Sequence, residues 1–414
     1  MTKYIEEIDL VIPSTGKEVR IDLKGRNLII TGSNGCGKTQ LLSCIYKELW
    51  SSVIERDNKN VNDVERDIRN TEYYIGTLNV SSQNYKITKE NLNNLRLALA
   101  KAQRPPVVIN GLDDFVLKVE KSTAILSNFG AMRKSEIVKP TSIVSFDKLR
   151  EQDRRTSMDR ELKSSSSLFE QFLVSNMALQ AFSESPNINN DAGEAKRINK
   201  WFVKLEEDLK NLFEDNSLNI KFKSDTLSFE INQSGKKPYT LQSLSSGFSS
   251  IMAIYAELIT KVSLYSVDPS ELTGVVLIDE IDAHLHVSLQ KKILSFLTIS
   301  FPKVQFIVTT HSPFVVSSVE DAVIYDLSSN KQIDDLSMYS YESILEGLFD
   351  VLPVSNNMQE KISYLNKLTS SSFIDIAKIK DILSRLPKDD DLDPETLYYV
   401  NLAKVAIRKS KKEV

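Results

Sequence analysis

Cysteine is nearly absent: Cys36 and Cys44 are the only two in 414 residues. Two such residues cannot build a disulfide framework, and their spacing is not the CxxC of a redox or zinc site. A reducing compartment, the cytoplasm, is expected. Long apolar runs are missing too. The most apolar stretch, 251–267, carries Glu257 and Lys261 and is too short and too charged to cross a bilayer. Residues 1–20 mix charged and apolar side chains without the apolar run of a signal peptide, so no membrane partner is expected. Nor does one charge dominate: 52 Lys and Arg face 56 Asp and Glu, for a net charge of −4. That excludes a global basic field, and any nucleic-acid contact must come from a local patch. Histidine is scarce, with only His284, His286 and His311, and no segment repeats.

What is present has an ordinary globular balance, 41% hydrophobic and 26% charged, which argues against global disorder. Residues 4–11 and 18–23 alternate apolar and polar side chains on either side of a turn at 13–16, the pattern of an antiparallel hairpin. Residues 27–31 (NLIIT) read as a short apolar strand running into Gly32. From 54 to 102 the chain is polar and Asn-rich, with Val64, Ile68, Leu92, Leu95, Leu97 and Leu99 at loose helical spacing. This predicts an inserted helical arm, closed by Arg104-Pro105-Pro106. Residues 141–146 (TSIVSF) predict a buried strand, 168–182 and 195–213 amphipathic helices, and 218–231 a pair of strands. Strands at 275–278, 304–308 and 322–325, with a helix at 286–299, alternate as in an α/β sheet. Residues 341–411 read as helical around a polar break at 388–393. The expected organisation is an α/β core assembled from 1–53, 130–150 and 215–330. An arm at 54–129, a helical subdomain at 151–214 and a C-terminal helical region at 331–414 complete it.

Gly32-Ser33-Asn34-Gly35-Cys36-Gly37-Lys38-Thr39 is a full GxxxxGK[ST] between an apolar strand and a helix. Its glycines let the backbone curl so that successive N–H groups face phosphate oxygens. Ser33, Asn34, Gly35, Cys36, Gly37, Lys38, Thr39 and Gln40 are the expected nucleotide-binding residues. Lys38 brings positive charge to the phosphates, and the Thr39 hydroxyl is a magnesium ligand. The second motif, Val275-Val276-Leu277-Ile278-Asp279-Glu280, is an apolar strand ending in two carboxylates. Asp279 is placed to hold Mg²⁺ through its water shell, and Glu280 to polarise an attacking water. Leu244-Ser245-Ser246-Gly247-Phe248 precedes an apolar helical pattern, so its free N–H groups offer a second phosphate cradle. Thr309-Thr310-His311-Ser312-Pro313 follows another apolar strand. There His311 can hydrogen-bond a terminal phosphate or the attacking water. Because all three histidines fall in two post-strand loops, His284, His286, His311 and Asp282 form an alternative, metal-binding set.

The order and spacing of these motifs resemble ABC-type ATPase heads, with LSSGF where the family has the signature LSGGQ. The runs IDEIDAHLHVSLQKKIL and FIVTTHSPFVVSSV resemble, more specifically, the OLD-like group of bacterial AAA-family ATPases. Members of that group recur as ATPase subunits of anti-phage systems such as PARIS, Septu and retron-linked Septu-like modules. The resemblance implies an α/β fold of the ABC-type P-loop ATPase head, a mixed sheet flanked by helices, with ATP and Mg²⁺ as ligands. It implies catalytic roles for Lys38, for Glu280 as base and for His311 as switch histidine, with Thr39 and Asp279 at the metal. Ser245, Ser246 and Gly247 would reach the nucleotide of a second copy, which makes the chain a dimer or higher homo-oligomer.

Several positions depart from the family pattern. Ser246 and Phe248 replace the Gly and Gln of the signature, and His286 replaces the D-loop aspartate. These departures fit slow turnover, or a switch rather than a motor. Gln152 is the nearest candidate for a Q-loop glutamine. Asp389, Asp391, Asp393 and Glu395 lack the apolar strand that a Toprim nuclease site needs, so they read as a solvated turn. The expected partner is therefore a separate effector, a nuclease, with DNA or a phage protein as trigger. One alternative is an SMC/RecF-like repair ATPase touching DNA through Lys148, Arg150, Arg154, Arg155, Arg160 and Lys163. The interspersed Glu151, Asp153, Asp159 and Glu161 favour a solvated helix face for that stretch. The other alternative is a nucleotide-gated scaffold with negligible turnover.

Overall fold

The computed structural model describes residues 3–56, 61–133, 135–158, 165–349, 355–369, 375–388, 392 and 394–410. They group into two units, Met1–Tyr341 and Glu342–Val414. The strands are β1 (Ile5–Val11), β2 (Glu18–Asp22), β3 (Asn27–Thr31), β4 (Val107–Ile109), β5 (Ala124–Phe129), β6 (Asn219–Lys223), β7 (Ser228–Asn232), β8 (Tyr239–Thr240), β9 (Thr273–Ile278), β10 (Val304–Thr309), β11 (Ala322–Asp326) and β12 (Lys331–Asp334). The helices of the first unit are α1 (Lys38–Val53), α2 (Val61–Thr77), α3 (Gln83–Gln103), α4 (Leu112–Glu120), α5 (Phe146–Met158), α6 (Phe169–Glu184), α7 (Ala192–Phe213), α8 (Ser246–Leu264), α9 (Val287–Gln290), α10 (Ile293–Ser300) and α11 (Pro313–Val316).

Every residue of β3 (NLIIT), β9 (TGVVLI) and β10 (VQFIVT) is buried. Continuous apolar runs of this kind suit a parallel sheet covered on both faces, not one with a wetted face. The three lie at the centre of a six-stranded sheet of order β12-β11-β3-β10-β9-β5. Its pairs are parallel except β11 with β12. Ile307 sits opposite both Leu28 and Leu277, so β3, β10 and β9 end together at one edge. Ligands of open α/β sheets bind beyond such carboxyl ends. An antiparallel sheet, β2-β1-β4, lies beside it. Its Ile5, Ile8, Val19 and Ile21 join Leu28, Leu41, Ile45 and Phe115 in one buried core.

Helix α8 is buried along most of its length, including Glu257 and Lys261. The Lys261 ammonium lies 3.3 Å from Asp153 of α5, and both side chains are buried. The antiparallel sheet β6-β7-β8 carries Phe229, which stacks on Phe202 of α7. Helices α2 and α3 pack on each other through Val64, Ile68 and Leu92, and Arg96 pairs with Glu72 at 2.8 Å. The second unit holds α12 (Tyr341–Phe349) from its second residue on, with α13 (Asn356–Thr369), α14 (Ile376–Ser384) and α15 (Pro394–Ser410). Leu365, Ile379, Ile382 and Ala403 form its core. Among the described residues, no helix is long and apolar enough to cross a membrane.

The structure departs from the sequence-based expectation in four places. Residues 141–146 are not a strand. Instead Ser142 and Val144 give their carbonyls to Gln171 and Ser175 of α6, and Ile143 is 52% exposed. The backbone is satisfied by side chains, with no ladder to join. The strand that does fill the sheet is β5, inside the stretch assigned to the arm. It pairs in parallel with β9 from Ala124 to Phe129. Strand β12, in the stretch assigned to the C-terminal helices, pairs antiparallel with β11. The helix foreseen at 286–299 is broken into α9 and α10, with Lys292 at the N-cap of the second. Asp389, Asp391 and Asp393, the side chain of Glu395, and Asp159, Arg160, Glu161 and Lys163 lie outside the described residues.

Candidate nucleotide site

The edge where β3, β9 and β10 end holds a cavity of about 290 Å³. Ser14, Asn34, Gly35, Gly37, Lys38, Thr39, Gln40, Asp279, Glu280 and His311 line it. The loop from β3 to α1 begins at Gly32, whose φ is +135°. A Cβ there would lie 2.9 Å from Ser328 Oγ and 3.0 Å from Cys36 Sγ, so only glycine fits without displacement. The Ser33 N–H donates to Ser328 Oγ at 2.8 Å, and Ser328 N–H donates to Asp326 at 2.9 Å. Ser328 thus pins the entry to the loop from the far end of β11. The Lys38 ammonium is buried and donates to the carbonyls of Gly32 and Ser33 at 2.9 and 3.0 Å. Gln40 accepts a hydrogen bond from Ser14. Cys36 is half-buried with its sulfur 3.9 Å from the Lys38 nitrogen. Burial pushes the Cys44 thiol up, away from the reactive thiolate.

Two carboxylates face this loop. Thr39 Oγ1 donates to Asp279 Oδ2 at 2.8 Å, and Thr309 Oγ1 donates to Asp279 Oδ1 at 2.6 Å. The same Thr309 oxygen accepts the Glu280 N–H at 2.7 Å. Glu280 is half-buried with φ at +45°. A non-glycine residue in that region costs about 1–3 kcal/mol and persists only where its surroundings over-determine it. One determinant is Thr309. Backbone bonds from Ala283 N–H to the Glu280 carbonyl (2.8 Å) and from Ile281 N–H to the Thr309 carbonyl (3.0 Å) are others, and a further one is Arg133, which follows β5 and is 8% exposed. Its guanidinium donates to the carbonyls of Asp279 (2.7 Å), Glu280 (3.2 Å), Ile281 (2.9 Å) and Gly130 (3.2 Å). Burial pushes the Arg133 pKa down to about 10, against the pull of Asp282, Asp279 and Glu280. A hydroxyl and a carboxylate 2.8 Å apart form the hard-oxygen set that suits Mg²⁺. A glycine loop with a buried ammonium suits phosphate. The residues present fit both groups.

His311 faces the cavity, and burial, reinforced by the nearby Lys38 charge, lowers its pKa below the usual 6.5. Its loop is tied down by Thr310, which donates to Asp282 at 2.6 Å, and by Ser312, which donates to Gln290 at 2.7 Å. His284 and His286 are exposed, and His286 caps α9. Among the described residues no three His, Cys, Asp or Glu side chains gather into a metal-binding group. The alternative set of His284, His286, His311 and Asp282 is therefore not assembled.

Ser245, Ser246 and Gly247 begin α8 and do not line this cavity. Ser245 is the N-cap, without a side-chain cap bond. A Cβ on Gly247 would lie 2.7 Å from the His284 carbonyl, which fixes glycine there. Phe248 stacks on Phe213 with ring centroids 4.1 Å apart, which accounts for an aromatic residue at that position. Gln152 is exposed on α5, away from the cavity lining. On the same helix Arg150 pairs with Asp147, Arg155 pairs with Glu151, and Arg154 lies over the Tyr265 ring. Ser328 and Arg133 were not legible as site residues. For Arg133 the available signal was a short strand ending at Gly130 ahead of a basic residue.

Residues 118–317 match the domain family described as "AAA domain, putative AbiEii toxin, Type IV TA system". The retron Ec83 probable ATPase of Escherichia coli is 35% identical over 138 residues, covering 33% of this chain and 25% of that protein. The Septu protein PtuA of Bacillus mycoides (strain KBAB4) is 31% identical over 160 residues, covering 36% of this chain and 22% of that protein. The retron Vc95 probable ATPase of Vibrio cholerae is 24% identical over 222 residues, covering 53% and 40%. The chain thus spans well under half the length of these curated relatives. Among solved structures, the SMC head domain from Thermotoga maritima aligns with 80% of this chain and 95% of its own, at 14% identity and a TM-score of 0.31. The family match covers residues 118–317, less than half of the chain, and the proteins named as retron and Septu ATPases are similar to it over about a third of its length.

Proposed function

We propose that this chain binds ATP with Mg²⁺ and hydrolyses it slowly, as the sensor and regulatory subunit of an anti-phage defence system. The observation that carries the reading is the convergence of Lys38, Thr39, Asp279, Glu280 and His311 on one cavity, from loops far apart in sequence. The curled 32–37 backbone and Lys38 would hold the phosphates, and Thr39 and Asp279 would hold a magnesium ion, whose charge would offset that developing on the phosphate oxygens. Glu280, fixed by Thr309 and Arg133, takes the proton of the attacking water. His311, held neutral at pH 7 by its lowered pKa, contributes one N–H donor and one acceptor and steadies the terminal phosphate and the water.

Ser245, Ser246 and Gly247 open α8 away from this cavity, an arrangement that supports a second copy presenting them to the nucleotide. Nucleotide-dependent assembly of copies then controls a separate effector, a nuclease. The homologues named for retron and Septu systems support this role. ATP turnover of wild type against Lys38→Ala tests the chemistry. Purification from the native host and phage challenge of a deletion strain test the role. Absence of turnover would overturn the first part, and absence of both a co-purifying protein and a phage phenotype would overturn the second.

A further inference from the structure

The turn after β9 poses a bonding problem that the sheet solves only in part: the Asp279 and Ile281 N–H groups donate to the carbonyls of Phe129 and Thr309 at 2.8 and 3.0 Å, and the carbonyls of the turn need other partners. Ladder pairing on both sides of β9 ends at Ile278, opposite Val308 and Phe129. Beyond it, the left-handed Glu280 bends the chain, the Ala283 N–H closes a turn on the Glu280 carbonyl at 2.8 Å, and the carbonyls of Asp279, Glu280 and Ile281 all accept from one guanidinium. Buried carbonyls need partners. A planar fork of N–H donors on a fixed charge can serve several at once, and among side chains only arginine has that shape. Arg133 also places a buried positive charge among Asp279, Glu280 and Asp282. Two residues on, the Ser135 N–H donates to Ser249 Oγ at 3.0 Å, in the first turn of α8. One short segment therefore grips both the carboxylate turn and the helix whose start holds Ser245, Ser246 and Gly247.

We propose that Arg133 is the positioning residue for Glu280: by holding three successive carbonyls it fixes the strained turn that aims the carboxylate into the cavity. This deepens the ATPase reading and rests on it. The Arg133 side chain does not line the cavity, so its loss should disturb the geometry of the base and leave the phosphate-binding loop intact.

The test uses the full chain with Arg133→Met and Arg133→Lys, beside wild type and Glu280→Gln. Four quantities are measured: ATP turnover, KM, equilibrium binding of a fluorescent ATP analogue with Mg²⁺, and thermal midpoint. Arg133→Met is expected to bind the analogue within about 3-fold of wild type while kcat falls about 10- to 100-fold, the usual cost of losing a residue that orients a catalytic group. Arg133→Lys keeps the charge but not the fork, and should recover part of kcat at unchanged KM. A folded Arg133→Lys with wild-type kcat would overturn the proposal. So would an Arg133→Met variant whose kcat falls only in step with nucleotide affinity. If Arg133→Met does not fold, the lysine variant decides alone. Wild type without turnover would instead remove the ATPase reading, and the proposal with it.

Discussion

Thr309 is fully buried and its hydroxyl does two things at once, donating to Asp279 and accepting from the Glu280 N–H. Thr309→Val keeps the shape and removes both bonds. A hydrogen bond to an ionised carboxylate is worth about 1.5–3 kcal/mol, and a stranded N–H costs about 1–3 kcal/mol. The Glu280 N–H is only partly buried and can recover some hydration, so the lower end applies to it. The total destabilisation comes to about 3 kcal/mol. Thr309→Ser is the control, since it keeps the hydroxyl and deletes one methyl, worth about 1 kcal/mol. Both tryptophans, Trp50 and Trp201, lie in the unit Met1–Tyr341, so urea unfolding followed by tryptophan fluorescence reports on the unit that contains the site. ATP turnover at saturating substrate should drop about 10- to 100-fold in the valine variant and change little in the serine variant. Equal losses in the two variants, in stability and in rate, would refute the dual role of the hydroxyl.

Asp153→Ala leaves Lys261 charged and buried, where Asp153 now lies 3.3 Å away and also accepts from Ser165 and Tyr265. A loss of about 3–5 kcal/mol is expected in the same urea assay, and Asp153→Leu combined with Lys261→Met should recover most of it. His311 titrates below its unfolded value of about 6.5. Between the two values the unfolded chain binds the extra proton, so this residue makes the protein less stable as pH falls through that window. Imidazole NMR titration of wild type and His311→Gln checks it, and a His311 pKa at or above 6.5 would contradict the site's electrostatics. Gly247→Ala would place a methyl against the His284 carbonyl, 2.7 Å away. Such overpacking costs about 1–3 kcal/mol, and a thermal midpoint equal to that of wild type would show the start of α8 to be looser than described.

The parts of the site written in contiguous residues were legible in the sequence. The glycine loop before α1 is a local backbone device whose glycines, lysine and threonine follow one another, and β9 announces itself by an apolar run ending in two carboxylates. β5 was not legible, because its AILSNF carries Ser127 and Asn128, and the Ser127 hydroxyl is satisfied by Glu257 from a distant helix. The false strand at 141–146 failed for the converse reason. Its apolar pair was real, but the partners its backbone needed were Gln171 and Ser175 side chains. Arg133 and Ser328 act on groups more than a hundred residues away, and periodicity and spacing carry no such information. The Phe248 departure from the signature became explicable only when Phe213 was found stacked on it.

The measurement that bears most directly on this account is ATP turnover and solution mass for wild type and Glu280→Gln, each with ATP and Mg²⁺. The account predicts that wild type hydrolyses ATP, while the variant binds it, stalls and accumulates as a dimer or larger assembly. Turnover by Glu280→Gln at the wild-type rate would contradict Glu280 as the base. Assembly by both proteins without hydrolysis by either would replace the ATPase with a nucleotide-gated scaffold.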